Sequence, residues 1–164
     1  MKQFKYTSIA IGGTFDHIHR GHRTLIKRGF DKGKKVFIGL TSDDFVKASG
    51  KSIIHTFPER KKSLENYLKR EYPKRDFVIT KLEKNFGPGM FTKEIEAIAV
   101  STETASRVAE ANAERRKRGL PDLKMEVVPM IMAKDRTRIS STRIRSGEID
   151  TEGNPVERVR TVRE

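Results

Sequence analysis

The sequence predicts one Rossmann-like α/β domain in which helices cover both faces of a five-stranded, mainly parallel sheet. First, compact apolar clusters, each long enough for one buried strand, alternate with longer stretches of helical spacing. Second, 164 residues suit a single domain with its own core, and no internal repeat divides them. Alternating strands and helices favour a parallel sheet. Right-handed crossovers then bring the carboxyl ends of the strands to one edge, where ligands bind.

The first half of the chain is predicted to contain three strands and two helices. The strands cover residues 6–12, 34–40 and 76–80, and the helices cover residues 20–32 and 58–72. A glycine follows the first helix, which is a common stop signal. Prolines stand at the first turn of the second helix and just after its end, where they are tolerated.

Two irregular segments and four further elements complete the alternation. The polar residues 41–56 predict a loop or mobile segment, and residues 85–90 predict a turn-rich link. The remaining elements are strands over residues 95–101 and 125–132 and helices over residues 102–117 and 140–149. The chain therefore divides into one domain, residues 1–150, and a basic C-terminal tail, residues 151–164. The tail has little apolar content, and we expect it to be ordered only in part.

The composition excludes several classes of protein. The chain has no cysteine, which removes disulfides, thiolate metal sites and cysteine nucleophiles. No apolar run approaches the ~18 residues that a membrane span requires, and the first residues lack the apolar core of a signal peptide. We therefore expect a soluble cytoplasmic protein. The net charge of +13 agrees with a nucleic-acid ligand, with a small polyanionic substrate, or with a protein from a hot environment.

The strongest local signal joins the end of the first strand to the start of the first helix. There Gly12 and Gly13 permit a tight turn and a close approach of backbone amides to an anion. His19 and His22 are three residues apart, so both face one point beside a helix N-terminus. Gly21 between them is predicted to leave room for a ligand. This combination favours a site that donates hydrogen bonds to phosphate oxygens.

The same histidine pair also suits a metal site. The only further ligand types nearby are Asp16 and His17, and the His-Glu-x-x-His pattern is absent. We therefore predict no metal held by protein side chains alone at this position.

A second constellation follows the last strand. The hydroxyls of Ser140, Ser141 and Thr142 stand at a predicted helix start, where they add side-chain donors to the free amides of the first turn. Arg143 and Arg145 add fixed positive charge with a fork geometry that suits phosphate. Taken alone, the segment is equally well explained as a capped surface helix with solvated arginines. As the partner of the histidine site it favours a polyphosphate cradle.

The two segments together resemble a known family. Gly-Thr-Phe-Asp-x-x-His-x-Gly-His and Ile-Ser-Ser-Thr-x-Ile-Arg are similar to the two signatures of the HIGH-motif nucleotidylyltransferase superfamily, and the resemblance covers roughly residues 6–149. It implies that His19 and His22 contact the triphosphate and stabilise charge at the α-phosphorus. It also implies that Thr14 binds the attacking phosphate or a neighbouring oxygen and that residues 140–142 cradle the β- and γ-phosphates. The implied nucleotide-binding residues are Gly12, Gly13, Thr14, Phe15, Gly21, Ser101, Glu103, Ser140, Ser141, Thr142 and Arg143.

Within the superfamily the motif sequences look most like those of archaeal-type phosphopantetheine adenylyltransferases. That resemblance implies transfer of AMP from ATP to 4′-phosphopantetheine, which gives dephospho-coenzyme A and pyrophosphate, with Mg²⁺ accompanying the ATP. Cytidylyltransferases usually carry Arg-Thr-x-Gly-Ile-Ser-Thr-Ser, and residues 135–142 depart from that pattern. Relatives that use another acceptor, such as FMN, remain an alternative on motifs alone.

Other residues are assigned from the position of the strand that they follow. The family places a catalytic lysine after the second strand, where it neutralises the acceptor phosphate, and Lys47 and Lys51 are the candidates here, Lys47 being slightly favoured. Arg60 either supports this loop or forms a surface ion pair. Ser101 and Glu103 follow the fourth strand and are predicted to line the adenosine pocket, although a capped helix start explains them equally well.

The alternative from another class is a basic module that binds nucleic acid. It is supported by the net charge, by the basic run 115–118 and by the basic residues 158–163. Charge runs on helices are usually solvated faces, and no stacking aromatic residue is interleaved with these. We therefore expect ATP and 4′-phosphopantetheine as the partners, with neither nucleic acid nor a membrane. The sequence is silent on oligomeric state, and a monomer is compatible with it.

Overall fold

A computed structural model describes residues 2–157, in which five strands form one parallel sheet. The strands are β1 (Tyr6–Gly13), β2 (Gly33–Thr41), β3 (Asp76–Leu82), β4 (Ala97–Ser101) and β5 (Lys124–Val128). They lie in the sheet in the order β3-β2-β1-β4-β5, so the chain crosses from one side of β1 to the other between β3 and β4. The predicted fold class is confirmed.

Four α-helices lie between these strands, and a fifth follows the last one. They are α1 (Arg20–Lys32), α2 (Asp43–Ala48), α3 (Phe57–Glu71), α4 (Val108–Lys117) and α5 (Ser141–Arg145). Two short 3₁₀ turns, Pro88–Phe91 and Ala105–Arg107, lie in the links before β4 and before α4. None of the described helices is both long enough and apolar enough to span a membrane.

The prediction that residues 41–56 form a loop throughout is wrong, because α2 lies inside this segment. Ser42 caps α2, since its hydroxyl accepts a hydrogen bond of 3.0 Å from the amide of Phe45. Asp43 and Asp44 stand in the first turn, where a negative charge is favoured by the helix dipole. A helix of six residues has too short a pattern to be recognised by periodicity.

Four other predicted elements are shorter than expected, and one of them is β4, which begins at Ala97 instead of residue 95. Strand β5 ends at Val128 because Pro129 has no amide to continue the ladder. Helix α4 begins only at Val108, after the 3₁₀ turn. Helix α5 stops at Arg145, and Gly147 then adopts a φ of +74°, which turns the chain so that Ile149 is buried.

Helices cover both faces of the sheet. On one face α1 and α3 pack against β1 and β2, and the buried residues there include Ile9, Phe30, Ile38, Leu64 and Leu68. On the other face α4 packs against β4 and the opposite side of β1, and the buried residues there include Ala10, Ile98, Val100, Val108 and Ala111. The carboxyl ends of the strands thereby remain free at one edge.

The basic run 115–118 is not a uniform solvated face. Arg115 is buried and donates hydrogen bonds to four backbone carbonyls, those of residues 90, 92, 95 and 121. Arg116 pairs with Asp122, and Arg118 pairs with Glu114. The expectation of a solvated run is therefore wrong for Arg115, and the run offers no continuous basic surface for nucleic acid. Residues 158–164, the other support for that alternative, lie outside the described part of the chain.

Candidate active site at the carboxyl edge of the sheet

The first motif leaves β1 through a turn that begins after the two glycines. Gly12 and Gly13 are paired with β2 within the strand, and the turn is formed by Phe15, whose φ is +49°. Phe15 is only 1% exposed, so its ring belongs to the core, and its role toward a nucleotide stays a prediction. A Cβ atom at Gly13 would lie 3.0 Å from that ring. Gly13 therefore allows the ring of Phe15 to fold back under the strand end.

His19 caps the N-terminus of α1. Its Nδ1 accepts hydrogen bonds from the amides of Gly21 (3.1 Å) and His22 (3.4 Å), so the proton of the neutral ring lies on Nε2. A Cβ atom at Gly21 would lie 3.0 Å from this ring. Gly21 was predicted to make room for a ligand, but the space that it provides is occupied by the imidazole of His19.

His22 stacks on His19, with 3.7 Å between the ring centroids. Its Nδ1 lies 2.9 Å from the carbonyl oxygen of His17 and 3.3 Å from the amide nitrogen of His19, so Nδ1 either donates to the carbonyl or accepts from the amide, and in the second case the proton lies on Nε2. Burial is the main cause that lowers the pKa of His19 to about 4 and that of His22 to about 3. Without a bound anion both rings are therefore neutral at pH 7.

The second motif lies directly against the first. Ser140 caps α5, because its hydroxyl accepts a hydrogen bond of 3.2 Å from the amide of Arg143. From the same helix, Nη1 of Arg145 donates to Oδ2 of Asp16 over 2.8 Å, which joins positions 129 residues apart. Its Nη2 also reaches the hydroxyl of Ser52 at 3.3 Å. The two predicted constellations therefore converge at one edge of the sheet.

Asp16 is the acceptor that holds this junction together. Its side chain is 2% exposed, and besides Arg145 it accepts hydrogen bonds from the amides of Ile54 (3.2 Å) and His55 (3.0 Å) and from Nδ1 of His55 (3.0 Å). Burial by itself would raise the pKa of Asp16, but these backbone and side-chain donors lower it below its usual value. A buried carboxylate thus fixes the first motif to two other segments.

Arg143 is occupied by other side chains. Its guanidinium pairs with Asp135 and, over 2.9 Å, with Glu148. Hydrogen bonds from Thr137, and then from Arg143, lower the pKa of Asp135 to about 2. The predicted contact between Arg143 and a phosphate therefore requires these ion pairs to open. Arg145, which the sequence presented as equivalent, is held by Asp16 at the junction.

The residues predicted to line the adenosine pocket lie at the end of β4. The hydroxyl of Ser101 is 3.2 Å from that of Thr104, within a turn that precedes α4. Glu103 pairs with Arg138 at 2.8 Å, and both side chains are about half exposed. This pair connects the β4 end to the chain just before Ser140, so Glu103 stands close to the second motif. Its role toward a nucleotide stays a prediction.

The sequence analysis missed Ser52 and His55 of the Asp16 junction, and it also missed Thr41. Thr41, the last residue of β2, is buried and donates a hydrogen bond of 3.0 Å to the hydroxyl of Thr14. The position of Thr41 could have revealed it. Thr41 ends a strand that pairs in parallel with β1, and because Gly13 is opposite Leu40, the residues that follow these two in the chain, Thr14 and Thr41, come close together. The predicted lysines lie nearby in sequence but in different settings. Lys47 is on α2, Lys51 is in the following loop, and both are exposed.

The donors at this edge suit a magnesium ion only as a partner of phosphate. Asp16, His17 and His55 place three potential ligand atoms within 4.8 Å of one another, and Nε2 of His17 is buried without a hydrogen-bond partner. However, two imidazoles and one carboxylate are not the oxygen-rich set that Mg²⁺ prefers, and the carboxylate is already bound by Arg145. These three side chains by themselves therefore do not form the oxygen-rich site that Mg²⁺ prefers.

Comparison with known proteins agrees with this arrangement. The family model described as "Cytidylyltransferase-like" matches residues 10–147, a range that contains both motifs. The chain belongs to this cytidylyltransferase-like family.

Relatives in this family share most of the chain. The phosphopantetheine adenylyltransferase of Methanothermobacter thermautotrophicus is 42% identical over 156 residues, which cover 95% of this chain and 93% of that protein. The phosphopantetheine adenylyltransferase of Pyrococcus abyssi is 39% identical over 155 residues, which cover 94% and 98%. A crystal structure of a protein of unknown function from Archaeoglobus fulgidus has the same fold, with a TM-score of 0.65 and 26% identity over 81% of this chain and 99% of that one.

The neutral histidine pair makes the stability of this cytidylyltransferase-like domain dependent on pH. Because the folded-state pKa values lie below the ordinary value of 6.5, only the unfolded chain binds these protons between pH 6.5 and about 4. The free energy of unfolding should therefore fall as the pH drops from 7 to 5, by about 1 to 2 kcal/mol for each histidine. Urea unfolding at the two pH values measures this change.

A variant separates the histidines from other acid-sensitive groups. His19→Asn keeps a side chain that can cap α1 but does not titrate. Its loss of stability between pH 7 and 5 should be smaller than that of the wild type by about 1 kcal/mol or more. An unchanged pH dependence in this variant would show that His19 is not buried in its neutral form.

Proposed function

We propose that this protein transfers AMP from ATP to 4′-phosphopantetheine, giving dephospho-coenzyme A and pyrophosphate. The observation that carries the proposal is the contact between Asp16 of the first motif and Arg145 of the second, which brings both motifs to one edge of the sheet. The choice of acceptor is supported by the relatives named phosphopantetheine adenylyltransferase, which align with nearly the whole chain.

The chemistry needs no protein nucleophile. An oxygen of the acceptor phosphate attacks the α-phosphorus of ATP, a new P–O bond forms, and the bond to the β-phosphate breaks with release of pyrophosphate. The obstacles are the mutual repulsion of two anions and the charge on the oxygens of the α-phosphorus. A protein lowers this barrier by positioning both phosphates and by supplying donors to the developing charge.

Each motif has a distinct role in this mechanism. His19 and His22 stabilise the charge at the α-phosphorus, with the Nε2 proton of His19 available as a donor. Thr14 binds the acceptor phosphate, and the hydrogen bond from Thr41 fixes the direction of its hydroxyl. The hydroxyls of residues 140–142 hold the leaving pyrophosphate. Mg²⁺ accompanying ATP would neutralise part of the phosphate charge.

The two lysines belong to different parts of the site. Lys47 lies in the last turn of α2. The first turn of this helix is bonded through Asp43 and Arg60 to the carbonyl of Thr14, on the acceptor side. Lys51 precedes Ser52, which is bonded to Arg145 of α5, on the nucleotide side. We therefore assign the acceptor phosphate to Lys47 and the nucleotide phosphates to Lys51.

The proposed reaction is tested by measuring pyrophosphate release with a panel of substrates. ATP or CTP is combined in turn with 4′-phosphopantetheine, FMN, glycerol 3-phosphate or nicotinamide mononucleotide. We expect release with ATP and 4′-phosphopantetheine only, accompanied by dephospho-coenzyme A in equal amount. Release with FMN alone would show that the acceptor is wrong while the adenylyl transfer is right.

The role of the stacked histidines is tested with His22→Ala. Loss of one donor to transition-state charge typically costs about 10²- to 10³-fold in turnover, and we expect kcat to fall by that amount. Thr24→Ala is the matched control, because Thr24 lies on the same helix and bonds only to the carbonyl of Arg20. Its turnover should be normal. Near-normal turnover in a folded His22→Ala protein contradicts the assignment.

The assignment of the two lysines to different substrates predicts that their variants raise different KM values. Lys47→Ala should raise KM for the acceptor about tenfold or more with little change in KM for ATP, and Lys51→Ala should do the reverse, since each removes one exposed charge from one phosphate. Steady-state kinetics with each substrate varied in turn distinguishes the two. If both variants raise the same KM, the two lysines face the same substrate.

A further inference from the structure

Arg60, on the first turn of α3, is among the most deeply buried side chains of the protein. Its side chain is 0% exposed, although the sequence left open whether it forms only a surface pair. Its guanidinium donates to three acceptors, which are the carbonyl of His55 (3.1 Å), the carbonyl of Thr14 (2.9 Å) and Oδ1 of Asp43 (2.7 Å). One planar group therefore connects three separate segments of the chain.

Each of these segments carries or adjoins a residue assigned to the site. Thr14 is the acceptor-phosphate residue of the first motif. Asp43 opens α2, the helix that carries Lys47. His55 closes the loop that begins after α2. None of the three bonds reaches the histidine pair or α5, so the contacts of Arg60 lie on the acceptor side of the site.

Stability alone does not explain a charged group at this position. Burying a guanidinium has a large desolvation cost, and Asp43, the only carboxylate that it meets within residues 2–157, has a side chain that is 36% exposed. A buried apolar side chain of similar volume is often neutral or more stabilising than such a pair. What an apolar side chain cannot supply is a rigid fork that fixes three acceptors at defined angles. Lysine cannot replace it either, because its three N–H donors share one nitrogen, whereas the bonds of Arg60 start from three different nitrogens.

We propose that Arg60 is a positioning residue for the acceptor, which holds Thr14 and the Lys47-bearing helix α2 at a fixed distance from each other. This inference rests on the proposed function. It adds to that function a residue that affects the acceptor without touching it. The nucleotide-binding half of the site is held by Asp16 and Arg145, and Arg60 bonds to neither of them; its link to Asp16 is indirect, through His55.

The test compares Arg60→Lys with Arg115→Lys. Arg115 is the matched control, because it is also buried and bonded to backbone carbonyls, but in α4 on the other face of the sheet. Both variants should lower the melting temperature. Only Arg60→Lys should reduce kcat/KM for the acceptor, on the order of 10²-fold, as expected for a small misplacement of reacting groups. The Kd for ATP should stay within about threefold in both variants.

A milder variant guards against loss of folding. Asp43→Asn removes one ion pair at a partly exposed position and leaves the other two bonds of Arg60. It should lower kcat/KM for the acceptor about tenfold without changing the Kd for ATP, and it should speed hydrogen exchange of the amides in residues 43–51. Wild-type exchange and wild-type kinetics in Asp43→Asn, or equal kinetic effects of Arg60→Lys and Arg115→Lys, would overturn the proposal.

The exchange measurement separates the two proposals, because it needs no substrate. If the wild type does not use 4′-phosphopantetheine, the proposed acceptor fails. The kinetic comparison is then repeated with the acceptor that the panel identifies. If the wild type is active but the Arg60 and Arg115 variants behave alike, only the positioning role fails.

Discussion

The site depends on one buried carboxylate, that of Asp16. It lies just after β1 and accepts hydrogen bonds from the amides of residues 54 and 55 and from Arg145 of the distant α5. A carboxylate buried without such donors would be strongly unfavourable, so the three segments stabilise the charge and the charge holds the segments. The geometry of the phosphate-binding edge follows from this mutual requirement. Arg60 is the corresponding buried cation on the acceptor side, where it connects three parts of the chain through the acceptors that it bonds.

The electrostatics of the edge combine neutral and charged groups in a definite order. The stacked imidazoles lie against the N-terminus of α1 and are uncharged at neutral pH because burial lowers their pKa values. Cationic side chains surround them, but several are already paired, among them Arg138 with Glu103 and Arg143 with Asp135. In the proposed reaction a polyphosphate would therefore meet neutral imidazoles at its centre and exchangeable ion pairs at its rim. Such an arrangement gives positional selectivity without a fixed excess of local charge.

Many boundaries of the secondary structure could be read from the sequence because they depend on local pattern. Helix α1 was predicted at the residues where it is found, and β1 and β2 within one residue at each end. The errors have local physical causes as well. Helix α2 is too short for a periodic signal, β5 is cut by Pro129, and α5 is ended by the left-handed backbone of Gly147.

The sequence indicated which side chains lie at the site more reliably than it indicated what each of them contacts. Both motifs, and the fact that they share one edge, followed from the sequence because every parallel strand directs its carboxyl end the same way. Which of Arg143 and Arg145 crosses to the first motif depends on the three-dimensional position of α5, and the sequence presents the two as equals. The same holds for Phe15, whose ring packs in the core, and for Gly21, which lies against the ring of His19. Sequence determined the elements and the chemical groups at their ends, since these follow from short-range preferences. Only the tertiary structure decided which partner each buried charge meets, because such pairs join residues far apart in the chain.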